Sequence, residues 1–386
     1  MKYDAIVIGA GALGTFHAYS LAELGKKVLL IERNNYQVNS SVMNFGQVVP
    51  SGQAIDKWRP IGIDSLEIYK SIQERANISA RNNGSYYIAS DIEELHLLEE
   101  MYEIDQSMSY PSVLLSPSTL QSMFPNLKNS YVKGGIFYPK ELSVEPHQFV
   151  RSVAGYMEEQ LNVDYLTNTL VVGCDIKGGE VEVVTSDKKK FLADKVFICT
   201  SYELKTLFPE ILLNSGMQIS KLHMMMTKPM NKLKLNGNML TGYSIRRYEA
   251  FHSCPSYQKF NATPKDQQIH DLGIHILFKQ AMDGRIIIGD SHHYAHATSI
   301  ENVDYHIETE VNDLMLSEAK KIMDLEHWDI DKFWCGYYMT HPDGIFNHTI
   351  ENKIHIVNGI GGKGMTCSGG YAKMNTNEIY HEKMAV

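Results

Sequence analysis

Tyr3-Asp4-Ala5-Ile6-Val7-Ile8-Gly9-Ala10-Gly11-Ala12-Leu13-Gly14 stands at the start of the chain, and its reading decides the fold. Residues 3–8 are a short, apolar, β-branched run, and Gly9-x-Gly11-x-x-Gly14 follows directly. Thr15 to Leu24 then reads as a helix closed by Gly25, and Lys27-Val28-Leu29-Leu30-Ile31 as a second apolar strand ending in Glu32. Such runs suit parallel strands covered on both faces. The first 33 residues therefore make one βαβ unit. A glycine triplet alone says little, but in this context each glycine has its own role. The first makes the turn, the second lets a pyrophosphate approach the backbone, and the third packs helix on strand. Glu32 stands where a ribose hydroxyl would donate, and it would repel the extra phosphate of NADP. Gly9, Ala10, Gly11, Ala12, Leu13, Gly14, Glu32 and Arg33 are the expected dinucleotide contacts.

The other end of the chain selects the dinucleotide. Asn358-Gly359-Ile-Gly-Gly-Lys363-Gly364-Met-Thr366 puts a glycine-rich loop and a lysine just before a final helix, expected from about Ser368. A helix N-terminus offers free N–H groups and partial positive charge. That suits the pyrimidine edge of a flavin, where reduction deposits negative charge, and points to FAD.

Between these ends the chain mixes two patterns. Ile92–Asp105, Pro146–Leu161 and Thr309–Leu325 read as helices, the second with proline in its first turn and the third with Thr309 as N-cap. Residues 169–174, 180–185 and 196–200 read as a meander turning at Gly178-Gly179, and residues 273–278 and 285–289 as strands joined around Asp283-Gly284. The expected fold is α/β: a Rossmann-like FAD-binding domain from 1–80, 145–218 and 328–386, with an interleaved antiparallel-sheet substrate domain from 81–144 and 219–327. Two domains agree with 386 residues.

Composition narrows the function. Thirty-six basic against 45 acidic residues give a net charge of −9, which argues against a nucleic-acid partner. No apolar run is long enough to span a membrane, and the chain begins on a strand with no leader-like segment, so a cytoplasmic location is expected. The five cysteines show no Cys-x-x-Cys spacing and are expected as buried, reduced thiols.

Taken together, Gly9 to Gly14, Ser40-Ser41-x-x-Asn44-Phe45-Gly46, Val144-Glu-Pro146, Ala193 to Thr200, Ile286-Ile-Ile-Gly-Asp290, Trp334-Cys-Gly336, Pro342-Asp-Gly344 and the terminal glycine loop resemble the D-amino-acid oxidase/glycine oxidase/sarcosine oxidase family of FAD-dependent enzymes. The resemblance covers nearly the whole chain. It implies that Ser40, Ser41, Asn44, Phe45 and Gly46 run along the pyrophosphate and flavin ring. Val171 would hold adenine through its backbone, Cys199 and Thr200 would close the nucleotide end, and Gly361, Gly362, Lys363, Gly364, Met365 and Thr366 would cover the flavin carbonyls. Asn44 to Gly52 and Gly289-Asp-Ser-His292 resemble more closely a branch associated with phosphonate breakdown, whose members oxidise aminoalkylphosphonates or their N-methyl forms.

Three departures bear on function. The family's amino-acid oxidases hold the substrate carboxylate with an arginine two residues beyond the Gly336 position. This chain has Tyr338, which cannot make a bidentate fork. Sarcosine oxidases tether flavin through a cysteine at the Gly336 position; Cys335 is one residue off, so non-covalent FAD is expected. The small-x-Gly after the returning strand is Cys199-Thr200-Ser201, without its glycine.

The implied reaction moves hydride from the carbon beside a neutral amine to flavin, yielding an imine that hydrolyses to aldehyde, with O2 as the expected acceptor. No dedicated base is required if the amine arrives unprotonated. Lys363 is the candidate for stabilising reduced flavin, and Gln47 and Tyr338 for lining the substrate pocket. Arg246, or its neighbour Arg247, would hold an anionic tail, on the reading that Gly242 to Tyr248 is a strand with one arginine inward. His292 is a candidate donor to substrate. No metal is expected, because His292, His293 and His296 have poor ligand spacing. The alternatives are a glycine, sarcosine or D-amino-acid oxidase, a dehydrogenase passing electrons to a quinone, and a flavin-binding protein without turnover.

Overall fold

A computed structural model describes residues 2–38 and 40–381. Its first sheet is ordered Phe346–Ile350, Ile354–Asn358, Lys190–Ile198, Lys2–Ile8, Val28–Ile31, Asp164–Leu166. The inner neighbours pair in parallel, and Glu180–Thr185 and Val171–Lys177 extend the sheet as antiparallel ribbons. Alternation along the first strand divides its side chains between two layers. Ala5 and Val7 face a helical layer with Phe16, Tyr69, Phe149 and Tyr371, whereas Ile6 and Ile8 face Val181, Val196 and Ile356. The Phe16 and Tyr69 rings pack with centroids 4.7 Å apart. Each such fully buried large side chain stabilises the layer by roughly 1.5–3 kcal/mol.

The second sheet is ordered His293–His296, Gln218–Thr227, Ile286–Gly289, Leu277–Gln280, Asn238–Thr241, Ser85–Ala89, Gly134–Tyr138, Val113–Leu115. It is antiparallel except where Asn238–Thr241 runs parallel to Ser85–Ala89. Ile330–Thr340, grouped by sequence with the nucleotide-binding part, instead pairs along the whole of Gln218–Thr227. That long ribbon carries Tyr338 from the second sheet to the edge of the first.

Several local expectations are corrected. Gly242–Ile245 is a helical turn with Arg246 at its C-terminal cap, not a strand, so strand alternation does not govern the two arginines. Gly242 has no room for a side chain: a Cβ would lie 2.2 Å from the Glu94 carboxylate. The final helix begins at Gly364, earlier than expected, after a 3-10 turn over Gly361–Lys363. Glu308, not Thr309, precedes the Thr309–Ile322 helix.

Candidate active site

The turn after the first strand opens a cleft lined at this end by Gly9, Gly11, Ala12, Leu13, Glu32 and Arg33. Gly9 has φ +99° and faces the Cys199 carbonyl, which a Cβ would approach to 2.4 Å; a Cβ on Gly14 would lie 1.9 Å from the Gly9 carbonyl oxygen. Both glycines are thus required by close backbone packing. The helix Ala12–Glu23 starts at Gly11 without a side-chain cap of its own, and Ser41 Oγ accepts from Ala12 N at 2.8 Å. Glu32 is buried, accepting from Ala10 N and Asn34 N, each at 3.0 Å. Arg33 pairs with Glu203 at 3.2 Å. Val171, Cys199 and Thr200 close this end of the cleft. Ser201 stands where the family has glycine and keeps the left-handed backbone at φ +55°, so the missing glycine leaves the turn in place at a cost of about 1–2 kcal/mol.

Ser40, Ser41 and Asn44 line the middle of the cleft. Asn44 folds this segment by donating to the Ser40 carbonyl at 2.9 Å and accepting from Gly46 N at 2.7 Å. Phe45 packs into the apolar cluster with Met224 and Tyr338. Gly361, Gly362, Gly364 and Met365 also line the cleft, and Thr366 Oγ1 accepts from Val49 N at 3.1 Å. Lys363 does not line the cleft. Its ammonium pairs with Glu249 at 2.7 Å, so as placed it is committed to a carboxylate.

Beyond the middle, Tyr338 reaches the cleft and donates to the Met43 carbonyl at 3.2 Å. Burial, with the charge of Asp290 adding to it, pushes its hydroxyl well above the usual pKa. Gly336 lies on the same face, where a Cβ would lie 2.6 Å from the Met43 carbonyl oxygen. By strand parity Cys335 points to the other face, towards the His306 carbonyl. Gln47 is buried, and its Nε2 donates to no group among the described residues.

Two neighbouring arginines meet opposite fates. Arg246, expected to hold an anionic tail, donates to Glu94 (3.0 Å), Asp91 (3.0 Å), Glu93 (2.8 Å) and the Phe260 carbonyl (2.7 Å). A guanidinium enclosed by three carboxylates is not available to another anion, so that expectation fails for Arg246. Arg247 instead donates to the Tyr294 hydroxyl at 3.0 Å and lies beside His292, Asp290 and His275, whose titration its charge influences.

Sequence reading missed His275, Asp290 and Lys279. His275 Nδ1 is 3.1 Å and His292 Nε2 is 3.5 Å from Asp290 Oδ1. Burial lowers the His275 pKa to about 3 and the His292 pKa well below the ordinary range, so both imidazoles are neutral near pH 7. Burial raises the Asp290 pKa. Lys279 lies under Gly46, where a Cβ would lie 2.9 Å from its ammonium, and donates to the Val144 carbonyl. Burial lowers its pKa to about 8. Folding also brings His293 beside His223 and Glu308, so both histidine clusters have metal-ligand composition that chain spacing did not reveal. In each a protein cation already faces the carboxylate: Lys221 at Glu308 (3.0 Å) and Arg247 near Asp290.

Residues 4–377 match the protein-family model described as FAD dependent oxidoreductase. Among curated proteins, the mitochondrial dimethylglycine dehydrogenase of Homo sapiens is 24% identical over 158 residues, which are 40% of this chain and 18% of that protein. The D-amino acid dehydrogenase of Helicobacter pylori is 22% identical over 250 residues, 52% of this chain and 60% of that protein. The matches span less than two thirds of the length of these relatives. Among solved structures, L-proline dehydrogenase from P. horikoshii superposes with a TM-score of 0.80 at 22% identity, covering 99% of this chain and 94% of that one. Glycine oxidase from Geobacillus kaustophilus gives 0.77 at 16% identity, covering 98% and 95%. These likenesses agree with the nucleotide-domain and second-sheet architecture. No helix among the described residues is long and apolar enough to cross a membrane.

Proposed function

The chain belongs to the FAD-dependent oxidoreductase family, and from that premise we propose that it oxidises the carbon–nitrogen bond of a small amine with an anionic tail, an aminoalkylphosphonate or its N-methyl form. The residues present fit the cofactor. Glycines packed too closely for any Cβ, a helix start whose N-cap is a glycine and the buried Glu32 carboxylate suit the nucleotide half. The unpartnered Gln47 amide and the uncapped turn at Gly361–Lys363 suit the ring half. FAD, when bound, supplies the acceptor for the hydride leaving the carbon beside nitrogen. The amino-acid-like amines named for dimethylglycine dehydrogenase, D-amino acid dehydrogenase and glycine oxidase support this reaction class.

One observation carries the choice of tail. At the place of the family's carboxylate-binding arginine stands Tyr338, while Arg247 offers its guanidinium beside Asp290 and His292. A guanidinium flanked by a histidine and a tyrosine hydroxyl suits the three oxygens of a phosphonate. Tyr338, Gln47 and Met224 would exclude water and orient the reacting carbon. Oxygen is the proposed acceptor, giving one peroxide per turnover, and a quinone-linked dehydrogenase would give none in air.

The test is anaerobic mixing of the flavin-loaded protein with 2-aminoethylphosphonate, its N-methyl derivative, glycine, sarcosine and D-alanine. Loss of the flavin absorbance band with the phosphonates alone is the expected result. Bleaching by glycine or sarcosine in preference would overturn the phosphonate assignment, and bleaching by none would overturn the amine assignment.

A further inference from the structure

Asp290 lies at the end of the Ile286–Gly289 strand, 6% exposed, with His275 and His292 reaching it from separate segments. Although both ring nitrogens come within 3.5 Å, Oδ1 makes no hydrogen bond with either. Such an atom is costly: a buried carboxylate oxygen is ordinarily paired. The groups facing Asp290 are His275, His292, Arg247, and the hydroxyls of Tyr248 and Tyr338, whose titration its charge raises. Arg247 is the cation among them, and it gives a hydrogen bond to Tyr294. The two imidazoles stack with centroids 5.3 Å apart and are uncharged near pH 7, so they flank the carboxylate and confine it without neutralising it.

We propose that Asp290 is the counter-ion and proton acceptor for the amino group of the substrate, with His275 and His292 as positioning residues. The proposal rests on the amine-oxidation reading above and removes its need for an amine that arrives already neutral. A cationic ammonium brought to Oδ1 supplies the missing N–H donor. One N–H bond then breaks as an O–H bond forms on Oδ1, leaving a neutral amine whose lone pair assists departure of hydride to FAD. Water adds to the iminium carbon, ammonium or methylammonium leaves with the aldehyde, and the proton on Oδ1 returns to solvent. Proton transfer here discharges two opposite ions at once, which a site shielded from water favours. With Arg247 holding the anion, the same cluster would read both ends of a zwitterion.

The experiment follows anaerobic flavin reduction by 2-aminoethylphosphonate between about pH 6 and about pH 10 in the wild-type holoenzyme and in Asp290→Asn. The variant is expected to be about 100-fold slower near neutral pH. Its rate should recover about tenfold per pH unit towards the pKa of the free amine, because solution then delivers the neutral form. Unchanged rates, or an equal loss at every pH, would overturn the proposal. If Asp290→Asn does not retain flavin, Asp290→Ser and His275→Gln are measured in the same way, with the same recovery required of the former. A stoichiometric metal ion in the wild type that Asp290→Asn removes would also overturn it, making the cluster a ligand set. A wild type that no amine reduces overturns the amine reading itself, and this is seen before any variant is compared.

Discussion

The two ends of the cleft are built on different principles. The nucleotide end is made from consecutive residues, Gly9 to Gly14, and works through backbone: absent side chains, a helix N-terminus and one buried carboxylate, Glu32. The proposed amine end is made from side chains of distant segments, and it gathers charge: the buried Asp290 and Lys279 and the half-buried Arg247, with Glu141, Arg59 and Asp105 in the wall behind Ser51. Binding a constant group such as a dinucleotide needs little more than shape and dipoles, and this is encoded locally. Choosing a substrate and moving its proton needs charges held out of water, and these are held by tertiary structure.

The nucleotide end is most sensitive at its glycines. Gly14→Val forces atoms onto the Gly9 carbonyl, which is backbone and cannot step aside. Overpacking of about 3 kcal/mol or more should weaken FAD binding by at least about a hundredfold. The check is flavin content of the purified variant, and full retention would show that the turn has more slack than described.

The two adjacent arginines come next. Arg246→Met leaves the fully buried Glu94 carboxylate with Lys265 (3.0 Å) and Ser90 (2.7 Å) as its remaining partners, and should cost about 1.5–3 kcal/mol, or about 2–4 °C in Tm. Arg247→Met should lower Tm by less than Arg246→Met, since its hydrogen-bond partner Tyr294 is exposed and it makes no direct ion pair with Asp290 among the described residues, while raising the phosphonate concentration needed for half-maximal reduction. Thermal melts and reduction titrations of both variants separate the roles.

Glu141 gives the pH dependence of the amine-end wall. Burial raises its pKa to about 7, against hydrogen bonds from Ser51 N and Tyr110. A carboxyl with a raised folded-state pKa contributes stability that is present below about 4.5 and lost as pH rises through about 7. Glu141→Gln keeps the acceptor oxygen without the charge. Between pH 5 and pH 8 it should gain on the order of 2–3 kcal/mol relative to wild type, read from denaturant melts at both pH values. Smallest in effect, Glu32→Gln removes a charge from the ribose position but not the acceptor, and FAD affinity should fall about tenfold, measured by titration of the apoprotein.

These differences also explain what the sequence made legible. Gly9-x-Gly-x-x-Gly14 is readable because every constraint on it is local, and the strand–turn–helix context comes with it. Cys335 is legible only as one residue off the tether position, and its turn to the opposite face comes from the strand Ile330–Thr340. Arg246 is not: Gly242 to Tyr248 reads as a strand, whereas its contacts depend on Glu94 from a helix about 150 residues earlier. His275 and Asp290 meet across a hairpin whose register no periodicity gives, although Asp290 closes the Ile286-Ile-Ile-Gly-Asp290 motif. Lys279 sits in an apolar strand where its inward face is set by pairing with Asn238 and Ile287. The first sheet follows from apolar runs. The second is recognisable as antiparallel without its strand order, and the sequence gives no sign that Ile330–Thr340 pairs with it.

On the proposed reading, the amine end selects its substrate by the anionic tail. The most direct measurement compares the anaerobic reduction rate of wild-type and Arg247→Met holoenzymes with 2-aminoethylphosphonate and with propylamine, which lacks the anion. The wild type is expected to prefer the phosphonate by about a hundredfold or more, and Arg247→Met largely to abolish that preference with propylamine little changed. Equal rates for the two amines in the wild type, or a preference that survives in Arg247→Met, would contradict that reading.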